Sequence, residues 1–401
     1  MPRRNLGRDV TNLQRGFTLV EIMVGMLIGL IGIIVIFQVF QLTESRKRTT
    51  TAGSDAQIAG SVAMFSLERD LRLGALGFGF AASASGGNLM GCNANVYDNA
   101  NPAVNFPMRL TPVQIVDGAG GAPDSITVLW GSSLTGSSYE TFTVTTDTSK
   151  LLFHRQGIDR GDLAIVGGTL TNGAQGCHLV QVTDNTNGDA RTINHVPGNY
   201  LSKDGVTPLI TRYNNPAGPG MTFSGATGAG FFFNLGPYPR ANKWSIRNGK
   251  LTLEDLLHYV DLNPADGQND WIEIADGVID LQAQYGYDAN GDGLISDNPA
   301  DNEWTNATPP TNADWRRVLA IRVAVLARSG EFEKDYIAPN PVWGCGKAPV
   351  VCTNFVMKKL DDTAGAVTPA TPADPLDWQR YRYRVYEAVI PFRNVIWGAA
   401  P

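Results

Sequence analysis

The sequence predicts an α+β chain in which one long N-terminal helix precedes a β-rich head of antiparallel sheet. Three observations carry this reading. Residues 17–40 form an apolar run with a single charge, Glu21. Helical spacing of apolar residues then continues through Leu42, Ile58, Val62, Phe65, Leu67, Leu71 and Leu73. Beyond a glycine-rich exit at 74–79 the apolar period changes to two, with Gly, Asn and Asp between short runs. A composition of 43% hydrophobic and 17% charged residues is that of a folded chain, and 401 residues leave room for one large head behind an anchor. A net charge of −6 lacks the basic excess that would point to a nucleic-acid partner.

As a helix, residues 17–40 reach about 36 Å, enough to cross a hydrocarbon core of about 30 Å. Arg3, Arg4, Arg8 and Arg15 precede the run against Asp9 and favour a cytoplasmic N-terminal end, although Arg46, Lys47 and Arg48 beyond it reduce the asymmetry. No Ala-x-Ala site follows the run, which argues against an ordinary secretory signal. Gly25, Gly29 and Gly32 have the spacing that permits close helix packing. Gly53-Ser54-Asp55 is a candidate break. Among later elements, 125–130, 139–144, 151–154, 163–166 and 177–182 read as strands, and 253–260 as a short helix. Residues 214–230 and 298–314 read as loops. Three late segments alternate most clearly and are expected to pair in the main sheet: Ile279, Leu281, Ala283 and Tyr285; Leu319, Ile321, Val323 and Val325; Tyr381, Tyr383 and Val385, with Arg380, Arg382 and Arg384 opposite.

Glu21 is the anomaly of the apolar run. An acidic group one turn inside a membrane helix costs about 2.5–3.5 kcal/mol unless it has a partner. A cut between Gly16 and Phe17 would create that partner, because the new ammonium of Phe17 on a neighbouring copy could neutralise Glu21. A basic leader, Gly before the cut, Phe after it and Glu as fifth mature residue together resemble the type IV prepilin signature. Ser66-Leu67-Glu68-Arg69-Asp70-Leu71-Arg72, the following glycines with Gly91-Cys92, and the closing Tyr386-Glu387-Ala388-Val389-Ile390-Pro391-Phe392-Arg393-Asn394 are similar to PilW-type minor pilins.

That resemblance implies a pilin-like architecture: leader 1–16, membrane and filament-core helix 17–40, periplasmic continuation 41–80 and head 81–401. It implies cleavage after Gly16 and methylation of Phe17 by a prepilin peptidase, with Glu21 setting register during assembly. The implied partners are other minor pilins, the major pilin and the inner membrane, which holds the chain as a single pass with a periplasmic head before it enters the pilus. The implied role is priming or tip formation. A minor pseudopilin of type II secretion and a tip adhesin are the rivals.

Four cysteines, Cys92, Cys177, Cys345 and Cys352, allow three pairings, and an exported head permits disulfides. Cys345 and Cys352 flank a short loop and are expected to join, leaving Cys92 with Cys177. Zinc is the competing use, but the chain lacks Cys-x-x-Cys and paired histidines. Asp288-Ala289-Asn290-Gly291-Asp292-Gly293-Leu294-Ile295-Ser296-Asp297 has the front half of an EF-hand-like calcium loop: oxygen side chains at places one, three and five, and Gly at six. Place twelve is Pro299 rather than Glu, so Asp297 or Asp301 is the expected closing ligand, with the Leu294 carbonyl. The site read from sequence is therefore Asp288, Asn290, Asp292 and Asp297 for Ca2+. A solvated turn between two strands is the competing reading. His154, His178, His195 and His258 are scattered in sequence, and no hydrolase elbow, phosphate loop or His-Glu-x-x-His occurs, so no enzymatic activity is expected.

Overall fold

The computed structural model describes residues 16–82, 89–100, 106–133, 139–155, 157–184, 190–218, 223, 230–258, 270–298, 300–331, 333, 336, 338–345, 352–357 and 378–399. The chain divides into two units between Gly53 and Ser54. Helix α1 spans Leu19–Leu71. It runs through Gly53-Ser54-Asp55 without the expected break.

In the first unit, the stretch Leu19–Glu44 has a mean hydropathy of 2.8 and no buried residue. In the second, α1 buries Ala56, Ala63, Leu67 and Leu71 completely, while Ile58, Val62 and Phe65 are exposed. Ile58, Val62 and Phe65, part of the same helical pattern as Leu67 and Leu71, thus lie off the buried seam, which those leucines share with small residues: a methyl at Gly60 would lie 2.1 Å from the Tyr386 ring, so only glycine permits this approach. The helix ends at Leu71, earlier than residue 80. Turns and a 3₁₀ segment at Gly79–Ala82 follow.

The strands of the head are, in order, β1 Asn93–Val96, β2 Phe106–Arg109, β3 Val113–Gly118, β4 Ala122–Trp130, β5 Tyr139–Thr146, β6 Ser149–Leu152 and β7 Leu163–Thr169. Next come β8 Gln175–Gln181, β9 Thr192–Asn194, β10 Asn199–Leu201, β11 Pro208–Ile210, β12 Gly230–Gly236, β13 Arg240–Arg247 and β14 Lys250–Asp255. The last are β15 Ile272–Asp276, β16 Val278–Tyr287, β17 Trp304–Thr305, β18 Val318–Arg328, β19 Val342–Trp343, β20 Thr353–Asn354 and β21 Tyr383–Pro391. Two short helices, α2 Asn312–Trp315 and α3 Arg393–Ala399, complete the described elements.

These strands form an eight-stranded sheet ordered β2-β1-β8-β7-β12-β5-β6-β9, a five-stranded sheet β15-β14-β13-β4-β3, a four-stranded sheet β17-β16-β18-β21 and two hairpins. Among the described residues every ladder is antiparallel except β1 with β8. The five early strands read from sequence are all present. The expected helix at 253–260 is not: β14 occupies Lys250–Asp255 and pairs with β13 across a two-residue turn, Asn248-Gly249, whose φ values are 52° and 72°. That is the conformation Asn-Gly favours in a tight hairpin. Tyr259 and Val260 lie outside the described residues.

The three late segments do pair, as β16, β18 and β21, but in the four-stranded sheet rather than the largest one. A bulge between Val278 and Asp280 shifts Ile279 off the face of Leu281, Ala283 and Tyr285, since a one-residue slip reverses every side chain. One face of this sheet joins Leu67, Leu71, Ile126 and Trp244 in the main core. Its other face carries Ala324 and Leu326 under Trp343, Phe355 and Met357, with Ile279, Tyr383 and Val385 alongside. The strand β18 is thus buried on both faces, which explains its nearly continuous apolar run.

Candidate functional site

At the start of α1 the residues singled out by the sequence stand together. Thr18 and Glu21 form a reciprocal cap: the backbone N–H and hydroxyl of Thr18 donate to Glu21 Oε2, each at 3.0 Å, and Glu21 N–H donates to Thr18 Oγ1 at 3.3 Å. This is the logic of a capping box, and it satisfies a carboxylate that otherwise has an apolar helix around it. Phe17 is 84% exposed and Gly16, also exposed, lies outside helix and strand, just ahead of α1. A methyl built at Gly25, Gly29 or Gly32 meets nothing, so these glycines are not used for packing within this chain.

The cysteines pair as Cys92–Cys177 and Cys345–Cys352. The first links β1 to β8, the pair of strands that runs parallel, with Cα atoms 6.2 Å apart. The second closes the β19–β20 hairpin. All four sulfurs are thereby occupied, which removes the zinc alternative.

The acidic loop falls between β16 and β17. Its front half is ordered around Asp288, whose carboxylate accepts the N–H groups of Asp292 at 3.2 Å and Gly293 at 3.0 Å. Gly293 has φ 80°, the left-handed conformation that place six requires. Asn290 Oδ1 accepts Asp292 N–H at 2.8 Å, and Asp292 Oδ1 accepts Leu294 N–H at 2.8 Å. Asp297 turns elsewhere: its Oδ1 accepts the indole N–H of Trp304 at 2.9 Å. The carboxylate that meets Asp288 and Asp292 is Glu303, with oxygens of all three within 4.8 Å of one another. Pro299 lies outside the described residues. Glu303 was not legible as a member because it is fifteen places after Asp288 rather than eleven.

Two of the four histidines come together. His178 and His195 lie 6.1 Å apart in the head's interior, and neither ring nitrogen of His178 has a hydrogen-bond partner. Burial, followed by the nearby Lys150 charge, pushes the His178 pKa down to about 3. The ring is therefore neutral near pH 7 and does not act there as an imidazolium acid. A cleft of about 770 Å³ beside the end of α1 is lined by Asp70, Trp130, Arg240, Asp255, His258 and Trp271 among others.

The N-terminal helix and the late strands each match a known family. Residues 11–37 match the prokaryotic N-terminal methylation motif, and residues 244–394 match the family described as Type IV Pilus-assembly protein W. The chain is PilW-like. Its PilW region begins in β13 and takes in the whole four-stranded sheet. Neither match extends over residues 38–243, which include the whole eight-stranded sheet. No curated protein and no solved structure matches the chain. The motif and the apolar helix of this PilW-like chain fit membrane anchoring and pilus association, with processing by a prepilin peptidase implied by the motif. The matched family is of a structural, pilin type rather than an enzyme family.

Proposed function

We propose that the chain is a minor pilin cut after Gly16 and methylated on Phe17, which then enters a type IV pilus through its N-terminal helix. The observation that supports this most is the conjunction of an apolar surface with no buried residue over Leu19–Glu44 and a carboxylate, Glu21, at the fifth place after the cut. Before assembly the bilayer covers that surface, with the head on the periplasmic side, and Thr18 stabilises Glu21. During assembly other pilin helices replace the lipid, and the ammonium of a neighbour's Phe17 replaces Thr18 as partner, which adds an opposite formal charge to what Thr18 supplies by hydrogen bonding alone. Glu21 therefore selects register.

The size of the head favours a low-copy position. A head with three multi-stranded sheets is bulky for dense helical stacking, so priming or tip formation with other minor pilins and the major pilin is the better fit. Exposed Ile58, Val62 and Phe65 are suited to cover by such neighbours.

A minor pseudopilin of type II secretion would share the anchor and Glu21. The match of residues 244–394 to a pilus-assembly family favours the pilus. The aromatic cleft beside Asp70 supports a tip adhesin as a second reading, which binding of the purified chain to surfaces would test. Deletion separates the first two: loss of surface fibres with secretion intact supports the pilus role, whereas intact fibres with trapped periplasmic proteins would move it to secretion. A Glu21→Ala chain should still fold and reach the membrane yet fail to enter fibres.

A further inference from the structure

The head holds an acidic cluster that the assembly role does not use. Asp288 is 6% exposed and Glu303 is 1% exposed, and their carboxylate oxygens lie within 4.8 Å of each other and of the exposed Asp292. None of the three is ion-paired to a lysine or arginine among the described residues. Glu303 Oε2 accepts Ser296 N–H at 2.6 Å, but Oε1 is buried with no hydrogen-bond partner at all. The guanidinium of Arg317 donates to the Tyr287 hydroxyl at 3.3 Å and lies over its ring. Ionised carboxylates at this separation repel, and a buried carboxylate oxygen without a partner is costly, so a cation among the three would relieve both.

We propose that Asp288, Asn290, Asp292 and Glu303, with the Leu294 carbonyl, bind a single Ca2+. The fold supplies the closing ligand that the loop sequence lacks. In the antiparallel β16–β17 ladder Tyr285 faces Thr305 and Gly286 faces Trp304, and the next step has Tyr287 N–H donating to the Glu303 carbonyl at 2.8 Å. Glu303 therefore sits across the ladder from Tyr287, next to Asp288. The β16–β17 ladder thus returns Glu303 to the side of Asp288 and does the work of the helix that follows a standard EF-hand loop. Hard oxygen donors from side chains and one carbonyl, in a loop exposed on the Asp292 side, suit Ca2+ better than Mg2+, which demands a tighter octahedron. Asp297, held by Trp304, is outside the site. This assignment stands whether the chain serves a pilus or secretion.

The test uses the full mature chain in detergent micelles, stripped with chelator, titrated with CaCl2 by calorimetry and melted with and without the ion. The expected result is one Ca2+ per chain with a dissociation constant at or below about 1 mM, and a higher melting temperature with Ca2+. Glu303→Gln keeps the acceptor for Ser296 and should weaken binding by at least about tenfold, because a charged ligand is lost. Asp297→Ala should leave affinity unchanged. Asp292→Asn, at an exposed position, provides a second variant whose ion-free melting should match the parent's while its affinity falls. No binding up to about 10 mM Ca2+, wild-type affinity in Glu303→Gln, or an equal response to Mg2+ would overturn the proposal.

Discussion

The indole N–H of Trp244 donates to Asp70 Oδ2 at 2.7 Å, joining the last turn of α1 to the middle of the five-stranded sheet. Trp130 donates to Oδ1 at 2.8 Å, and Asn242 Nδ2 donates to both oxygens at 3.1 and 3.0 Å. Asp70 is 6% exposed; burial raises its pKa, and the three donors work against that rise. The end of the helix is thus fixed by a carboxylate whose lone pairs point at strands β4 and β13. Trp244→Phe keeps most of the ring and removes one donor to a charged acceptor, so it should cost about 1.5–3 kcal/mol. A urea midpoint within error of the parent would contradict this latch.

A second contact lies just beyond the helix. A methyl at Gly79 would stand 2.1 Å from the carbonyl oxygen of Asn394, in α3. Backbone on both sides leaves little room to yield, and Asn394 Nδ2 already ties α3 to the Gly74 carbonyl at 3.0 Å. Gly79→Ala should therefore destabilise the head by about 1–3 kcal/mol, the cost of forced overpacking. A neutral or raised melting temperature would show that α3 moves freely.

The disulfide Cys92–Cys177 closes a separation of 85 residues and pins β1 to β8. On chain-entropy grounds a loop of this size is worth about 4–5 kcal/mol. Replacing both cysteines by serine should lower the denaturation midpoint of the head strongly, while the Cys345–Cys352 pair, with a separation of 7, should matter much less. Equal losses for the two pairs, measured by urea denaturation, would argue against loop closure as the cause.

Acid stability turns on His178. Its pKa is held down from 6.5 to about 3 by burial, so it contributes stability that is present above 6.5 and lost as pH falls through that window. Asp124 acts in the opposite sense. Burial raises it from 3.8 to about 6 against N–H donors from Gly118 and Ala283, so its contribution is full below 3.8 and lost as pH rises to about 6. The two therefore oppose each other between these values. His178→Leu should become relatively more stable than the parent as pH falls below 6.5, by melting temperature at matched pH. A parent-to-variant difference independent of pH would remove His178 from the acid response.

Much of this was legible in the residues. The apolar run with Glu21, the five early strands and the pairing of β16, β18 and β21 follow from local pattern, because period and charge act over a few residues. Where the reading erred, a longer-range or single-residue effect decided. Asn248-Gly249 formed a hairpin that turned an expected helix into β14; the Asn-Gly pair was there to be read. The bulge at Ile279 has no clear sequence mark. Small residues at Ala56, Gly60 and Ala63 took the buried face of α1 because close approach to Tyr386 outweighed the larger side chains of Ile58 and Phe65. Glu303 entered the acidic cluster through a β-ladder, which spacing alone does not encode.

The most direct test of the central claim is mass spectrometry of the N-terminal peptide from chain recovered in membrane and sheared-fibre fractions. The account predicts a peptide beginning at Phe17 with a methylated amine and Glu21 as its fifth residue. An intact leader beginning at Met1 in assembled fibres would contradict it.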